Sequence, residues 1–290
     1  TELVTYFFTY LNTYLILNEF LYCFEFFLSM NIAIISSSKD PAGVNIRNQL
    51  IQLFNFQETN EAFDNNPIYQ YTKLKNKNIK SYLINDDLIH SENIDKKINA
   101  DILIFASKHR SKENTQSFAM HPIGNWNNAE LGGKEKTLCN SSAVLLKNLF
   151  VKLNENAKNS GYETSEIYGI SDSAQKSSIF DITLEATHHG PFVEKPAIFV
   201  EIGSTENEWS DAMNGEIIAK TIMNGLQNEN TNYKTAVGLG GPHYCSNFNK
   251  IMLRTEIALS HICPKYHLSN LDEELLKQSI QKTKEKIDFV

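Results

Sequence analysis

Asn31-Ile32-Ala33-Ile34-Ile35, then Ser36-Ser37-Ser38-Lys39-Asp40-Pro41-Ala42-Gly43, then Val44 to Phe54 is the stretch on which the fold turns. The first part is a short apolar run that reads as a buried strand. The second is a loop of small and turn-forming residues. The third places Val44, Leu50, Ile51, Leu53 and Phe54 at apolar positions of a helix. A strand feeding a helix opens an α/β unit. Tyr82–Ile84 and Asp101–Ala106 read as further strands, the second being a near-continuous apolar run of the kind a parallel sheet buries on both faces. Ser141–Leu153 reads as a helix, Ile179–Ala186 and Ala197–Ile202 as strands, Trp209–Leu226 as a helix, Lys234–Leu239 as a strand, and about Phe248–Ser260 as a helix. Ser269, with Asp272 three residues on, reads as the start of a last helix. The expected fold is α/β, one domain over residues 30–290 with a mostly parallel or mixed central sheet flanked by helices.

Composition sets outer limits. The 290 residues are 41% hydrophobic and 21% charged, which excludes disorder for the bulk and supplies enough apolar mass for a core. Four cysteines without C-x-x-C spacing exclude a disulfide scaffold and a cysteine-only zinc knuckle, and point to a reducing compartment, the cytoplasm. Net charge −7 argues against a non-specific DNA coat, so no DNA partner is expected. Residues 1–29 stand apart: they hold no Lys or Arg, three glutamates, and many Tyr, Phe and Leu before Met30. They lack the positive start and small-residue cleavage site of a signal peptide, and Asn12, Asn18, Glu19 and Glu25 interrupt the apolar run that a membrane span needs. They read as an extraneous extension, with no stable membrane association. Without its glutamates the remainder carries −4. Lys73, Lys75, Lys77 and Lys80 read as a basic surface turn.

Six segments rich in Gly, Pro, His and small polar residues interrupt the pattern, each read as following a strand. In open α/β sheets such segments line the crevice beyond the strands' carboxyl ends, where ligands bind. Five of the eight histidines, His109, His121, His188, His189 and His243, fall in them. A lone histidine is usually structural; five on one rim, with Glu185 and Glu201, make the donor set of a zinc site. Extended alternation sends Glu185, Thr187 and His189 to one side and His188 to the other. The Gly238–Gly241 turn is read equally as a tight connection or as backbone N–H groups facing a ligand, and it lacks dinucleotide and P-loop patterns. Arg110 is read equally as an anion grip or a surface ion pair. Trp126 and Trp209 read as packing residues, Cys245 as a small buried one. No G-x-S-x-G elbow is present.

Taken in order, Ser38-x-Asp40-Pro41-Ala42, His109-Arg110-Ser111, His121-Pro122-x-Gly124-Asn125-Trp126, Glu185-Ala186-Thr187-His188-His189-Gly190-Pro191, Glu201-x-Gly203-Ser204-Thr205-x-x-x-Trp209 and Gly238-x-Gly240-Gly241-x-His243-Tyr244 resemble the D-aminoacyl-tRNA deacylases of archaeal and plant type. The likeness runs from Met30 to about Ile262. It implies a phosphorylase/hydrolase-like α/β fold, a D-aminoacyl-tRNA substrate, zinc, and hydrolysis of the ester to the terminal ribose, which frees the tRNA.

Two chemistries fit the residues. In one, zinc held by a subset of His121, His188, His189 and His243, with Glu185 or Glu201, activates water. In the other, Glu185 or a histidine among His109, His121 and His189 is a general base, with N–H groups near Gly240 and Gly241 stabilising the oxyanion. The first is the working expectation. Ser38, Asp40, Arg110, Gly240 and Gly241 are the expected substrate contacts, and Lys39, Arg110 and the Lys73–Lys80 cluster the candidates for tRNA phosphates. A zinc-dependent small-molecule esterase or peptidase is the alternative reading. A monomer or small homo-oligomer is expected.

Overall fold

The computed structural model describes residues 29–164, 179–228 and 230–290, so the expectation for residues 1–29 lies, but for Ser29, outside the described residues. The opening stretch forms strand β1 (Met30–Ser37) and helix α1 (Pro41–Phe54). Asp40 caps the helix by accepting from Gly43 N–H at 2.9 Å, Pro41 occupies the first turn, and Asn55 ends it with a left-handed φ of 56°. Gly43 is required by proximity: a Cβ there would lie 2.6 Å from the Ala106 carbonyl. The chain continues through β2 (Gln57–Phe63), β3 (Asn66–Tyr71), β4 (Lys77–Ile84), β5 (Ile102–His109), β6 (Ser117–Pro122), β7 (Gly124–Asn125), β8 (Thr137–Leu138), α2 (Ala143–Asn159), β9 (Glu163–Thr164), β10 (Ile179–Leu184), β11 (Ala197–Gly203), α3 (Glu206–Ser210), α4 (Ala212–Gln227), β12 (Lys234–Leu239), α5 (Ser246–Arg254), β13 (Ile257–Cys263) and α6 (Glu273–Gln281).

Nine strands form one mixed sheet in the order β2-β3-β4-β1-β5-β11-β6-β10-β9. β4, β1, β5 and β11 run parallel; β6 is antiparallel to β11 and parallel to β10. One face, with Ile32, Ile34, Ile104, Val200 and Phe118, is covered by α1, α2 and α4. From α2 come Leu146, Leu149 and Phe150, fully buried. Burial of each contributes roughly 1.5–3 kcal/mol. The other face carries Ala33, Ile35, Leu103, Phe105 and Phe199. Among the described residues no helix is long and apolar enough to cross a membrane.

Several expectations are corrected. Residues 57–71 form an antiparallel hairpin, β2 with β3, where no strand is read in the sequence. Lys77 and Lys80 lie on β4, so the lysine cluster is a turn only in part. The Trp209–Leu226 segment is two helices divided at Asp211, whose side chain accepts from Met213 N–H and caps α4. The expected helix to Ser260 stops at Arg254, and Ile257–Cys263 is a strand paired in parallel with β12. The last helix is capped by Asp272; Ser269 lies in a preceding 3-10 turn.

Candidate active site

Strand alternation builds the first half of the site. On β5, Leu103, Phe105, Ser107 and His109 share a face. β11 is in register with it, Glu201 opposite Ser107 and Gly203 opposite His109, and β6 sets His121 opposite Phe199. Gly203 is the residue that leaves room: a Cβ there would stand 2.8 Å from the His109 ring and 2.5 Å from Ser117 Oγ. Ser107 Oγ donates to Glu201 Oε1 at 2.7 Å. Asp40 spends its second oxygen on Lys108 N–H at 2.9 Å, tying the start of α1 to the end of β5.

The second half comes from the segment after β10. It is held by Glu185 N–H to the Met120 carbonyl at 3.0 Å, by a bridge of Glu185 to Tyr244, by a bridge of His188 to Ile123, and by Thr187 N–H to the Ile262 carbonyl at 3.0 Å. Alternation fails here. His189 has φ +44°, so the chain turns, and His188 and His189 both face the cluster while Thr187 points at β13.

The result is a compact set of imidazoles and carboxylates. His109 Nδ1 lies 3.2 Å from Glu185 Oε1 and 3.4 Å from Glu201 Oε2. His188 Nε2 and His243 Nε2 lie 3.6 and 3.9 Å from Glu185 Oε2, and His121 Nε2 lies 4.0 Å from Glu201 Oε1. The ring centroids of His121, His188 and His189 are 4.0–4.7 Å apart. His121 and Glu185 are fully buried.

Backbone carbonyls fix the tautomers. Nδ1 of His121, His188 and His189 donates to the carbonyls of Pro122, Ala186 and Gly190 at 2.9, 2.8 and 2.6 Å. Each Nε2 is thereby left as a lone-pair donor, the arrangement that metal-ligating histidines share. Burial lowers the pKa of His121 to about 3, with help from His189, and lowers those of His188, His189 and His243 as well, which keeps the rings neutral. His121 Nε2 and both Glu185 oxygens are buried without a hydrogen-bond partner. Such groups are costly unless something completes them. Neutral imidazoles plus carboxylate are a donor set suited to zinc, and the ligand atoms of His121, His188 and His189 lie within 4.8 Å of one another, as do those of Glu185, His188 and His243. The residues present fit the metal.

The two carboxylates behave differently. Burial drives the Glu185 pKa upward, with His109 opposing and Glu201 reinforcing the rise. Burial acts on Glu201 in the same sense, but the hydrogen bond to His109 and the surrounding imidazoles outweigh it, so Glu201 stays ionised. His109 is lowered by burial and raised more by Glu201 and Glu185, a net upward shift. Cys245 is 1% exposed, with its pKa pushed up to about 12 by burial, as a packing residue should be.

His109, His121, Glu185, His188, His189, Glu201 and His243 are thus gathered in one place. They sit on and beside the strands near their ends: His109 closes β5 and His121 lies within β6, where a loop is read in the sequence. The other expected contacts have separate commitments. Both Asp40 oxygens accept backbone N–H groups, exposed Ser38 Oγ reaches Asn85 at 3.4 Å, Arg110 lies 5.1 Å over the Trp209 ring, and Gly240 N–H donates to the Cys263 carbonyl at 2.8 Å. Sequence reasoning assigned no role to Ser107, although it stands two residues from His109 on one strand face, nor to Tyr244, whose hydroxyl is 3.1 Å from His109 Nε2. Tyr266, 3.0 Å from His243 Nδ1, carries no sequence signal.

Residues 96–290 match the model of a family described as D-aminoacyl-tRNA deacylase. The chain belongs to this family. A D-aminoacyl-tRNA deacylase of Thermococcus onnurineus (strain NA1) is 35% identical over 265 residues, covering 89% of this chain and 88% of the relative. One of Methanosarcina acetivorans is 35% identical over 261 residues, covering 87% and 80%. The crystal structure of a conserved protein of unknown function aligns with a TM-score of 0.74 at 30% identity, over 88% of this chain and 83% of that one. The alignments cover 80% or more of each of these deacylase relatives, and the cluster is drawn from the segments that carry the resemblance.

Proposed function

We propose that the chain hydrolyses the ester joining a D-amino acid to the terminal ribose of tRNA, releasing both, in the cytoplasm where charged tRNA is found. The observation that carries this reading is the convergence of the deacylase-like segments on one buried cluster: His109, His121, Glu185, His188, His189, Glu201 and His243 come from five separate segments and face each other. Membership of a family of that name supports the substrate.

Zinc would be held by His121, His188 and His189, whose ligand atoms lie within 4.8 Å of one another. When bound in such a site it acts as a Lewis acid that polarises an ester carbonyl and acidifies water. The chain's own residues do the rest. In its ionised form Glu185, made more basic by burial, accepts the proton of the attacking water. The water oxygen bonds to the ester carbonyl carbon, the bond from that carbon to the ribose oxygen breaks, and His109, whose pKa is raised, gives its proton to the departing ribose oxygen. Tyr244 orients the His109 ring from Nε2, and Ser107 holds Glu201.

The test is release of tyrosine from D- and L-tyrosyl-tRNA by the purified protein. The D ester is expected to be cleaved and the L ester left intact; equal cleavage of both, or of neither, contradicts the reading.

A further inference from the structure

Two cavities meet the cluster through different residues. A chamber of about 460 Å³ includes His109 and Tyr244 in its wall. A groove of about 210 Å³ includes His188 and His189. We propose that the chamber takes the 3′-terminal adenosine and its phosphate, and that the groove takes the aminoacyl group, its α-ammonium paired with Glu130. The assignment rests on the deacylase reading and adds the direction in which the substrate lies across the site.

Size and charge both point this way. A nucleoside with its phosphate needs the larger space, and the groove is less than half as large. Lys112 lines the chamber. Lys108 and Arg110, four and two residues earlier, lie against Trp209, whose Nε1 donates to the His109 carbonyl at 3.3 Å. These three cations suit an anionic backbone. Glu113 and Asp181, also on the chamber wall, are acceptors of the kind that ribose hydroxyls use.

The groove is smaller and has no cation in its lining. Asn127, Asn128 and Glu130 line it. A carboxylate flanked by amides suits a primary ammonium. The orientation also agrees with the chemistry: His109, the donor to the departing ribose oxygen, is the cluster residue shared with the chamber, so the ribose leaves on the side where its nucleoside is held.

The experiment is calorimetric binding of AMP and of D-tyrosinamide, which keeps the ammonium but has no hydrolysable ester, to the full chain and to two variants. Ser246→Trp places an indole in the chamber from an exposed position at the start of α5; Asn128→Trp does the same in the groove. Ser246→Trp is expected to weaken AMP by about tenfold or more and leave D-tyrosinamide unchanged, and Asn128→Trp the reverse. The milder changes Lys112→Ala and Glu130→Gln are expected to repeat the two patterns on a fold left undisturbed. The swapped pattern, AMP binding indifferent to chamber variants, or no AMP binding by the unaltered chain overturns the proposal. Failure of the deacylase reading shows separately, as absence of tyrosine release from D-tyrosyl-tRNA by the unaltered chain.

Discussion

His189, at φ +44°, helps turn a strand-like segment into a two-histidine contribution. Strict alternation would have sent His188 away from the cluster, and no pattern in Glu185–His189 announces the turn. The histidine types were legible and their joint orientation was not, because it is set by a bend at Thr187 and a left-handed His189 that the residue pattern does not announce. Ser107 provides a test at this scale. Removal of its hydroxyl in Ser107→Ala frees Glu201 Oε1 from the hydrogen bond that orients it. Deacylation is expected to fall about 10- to 100-fold with little change in melting temperature; activity equal to the unaltered chain would show that Glu201 needs no such support. His261 offers a pH test away from the cluster. Burial lowers its pKa to about 3, below the usual 6.5 of the unfolded chain. Above pH 6.5 neither state binds the proton. As pH falls from 6.5 toward 3 the unfolded state binds it first, so stability is lost in that window, by up to about 1.4 kcal/mol per unit for one such group. Urea unfolding at pH 7 and pH 5 is expected to show a smaller drop in His261→Asn than in the unaltered chain; identical drops would remove His261 from the account.

At the scale of elements, Asp40 joins a helix to a strand end. It caps α1 through Gly43 N–H and holds Lys108 N–H beside His109. Asp40→Ala is expected to cost about 1–2 kcal/mol in urea unfolding and to lower deacylation as well; a stability loss with unchanged rate would separate the cap from the positioning of His109. The β1-α1 opening was legible because an apolar run, Asp40-Pro41 and a helical pattern agree locally. β2 was not, since Gln57–Phe63 is largely exposed and offers no apolar alternation to read. Ile257–Cys263 misled for the opposite reason: a short apolar run has no period to separate strand from helix, and its pairing with β12 is decided by tertiary contacts. β6 was hidden by His121 and Pro122 inside a strand, and its reversed direction is what brings His121 level with Phe199.

Across the whole molecule, an acidic chain has to meet an RNA through local positive charge. Lys39 is paired with Asp86 at 3.6 Å and Lys80 with Glu61 at 2.6 Å, whereas among the described residues Arg110 and Lys112 form no ion pair. Affinity for D-tyrosyl-tRNA is therefore expected to fall as salt rises, and Arg110→Ala or Lys112→Ala to flatten the log-log slope by about one while Lys80→Ala leaves it unchanged. Salt-independent affinity would contradict a phosphate-binding face. The central claim is that the buried imidazoles and carboxylates work as a metal-dependent hydrolytic centre, and one measurement addresses it most directly: the rate of D-tyrosyl-tRNA deacylation by protein freed of metal with a chelator and verified metal-free, before and after zinc is restored. Loss of the rate and its return with zinc is the expected result. A full rate in the verified metal-free protein would contradict it.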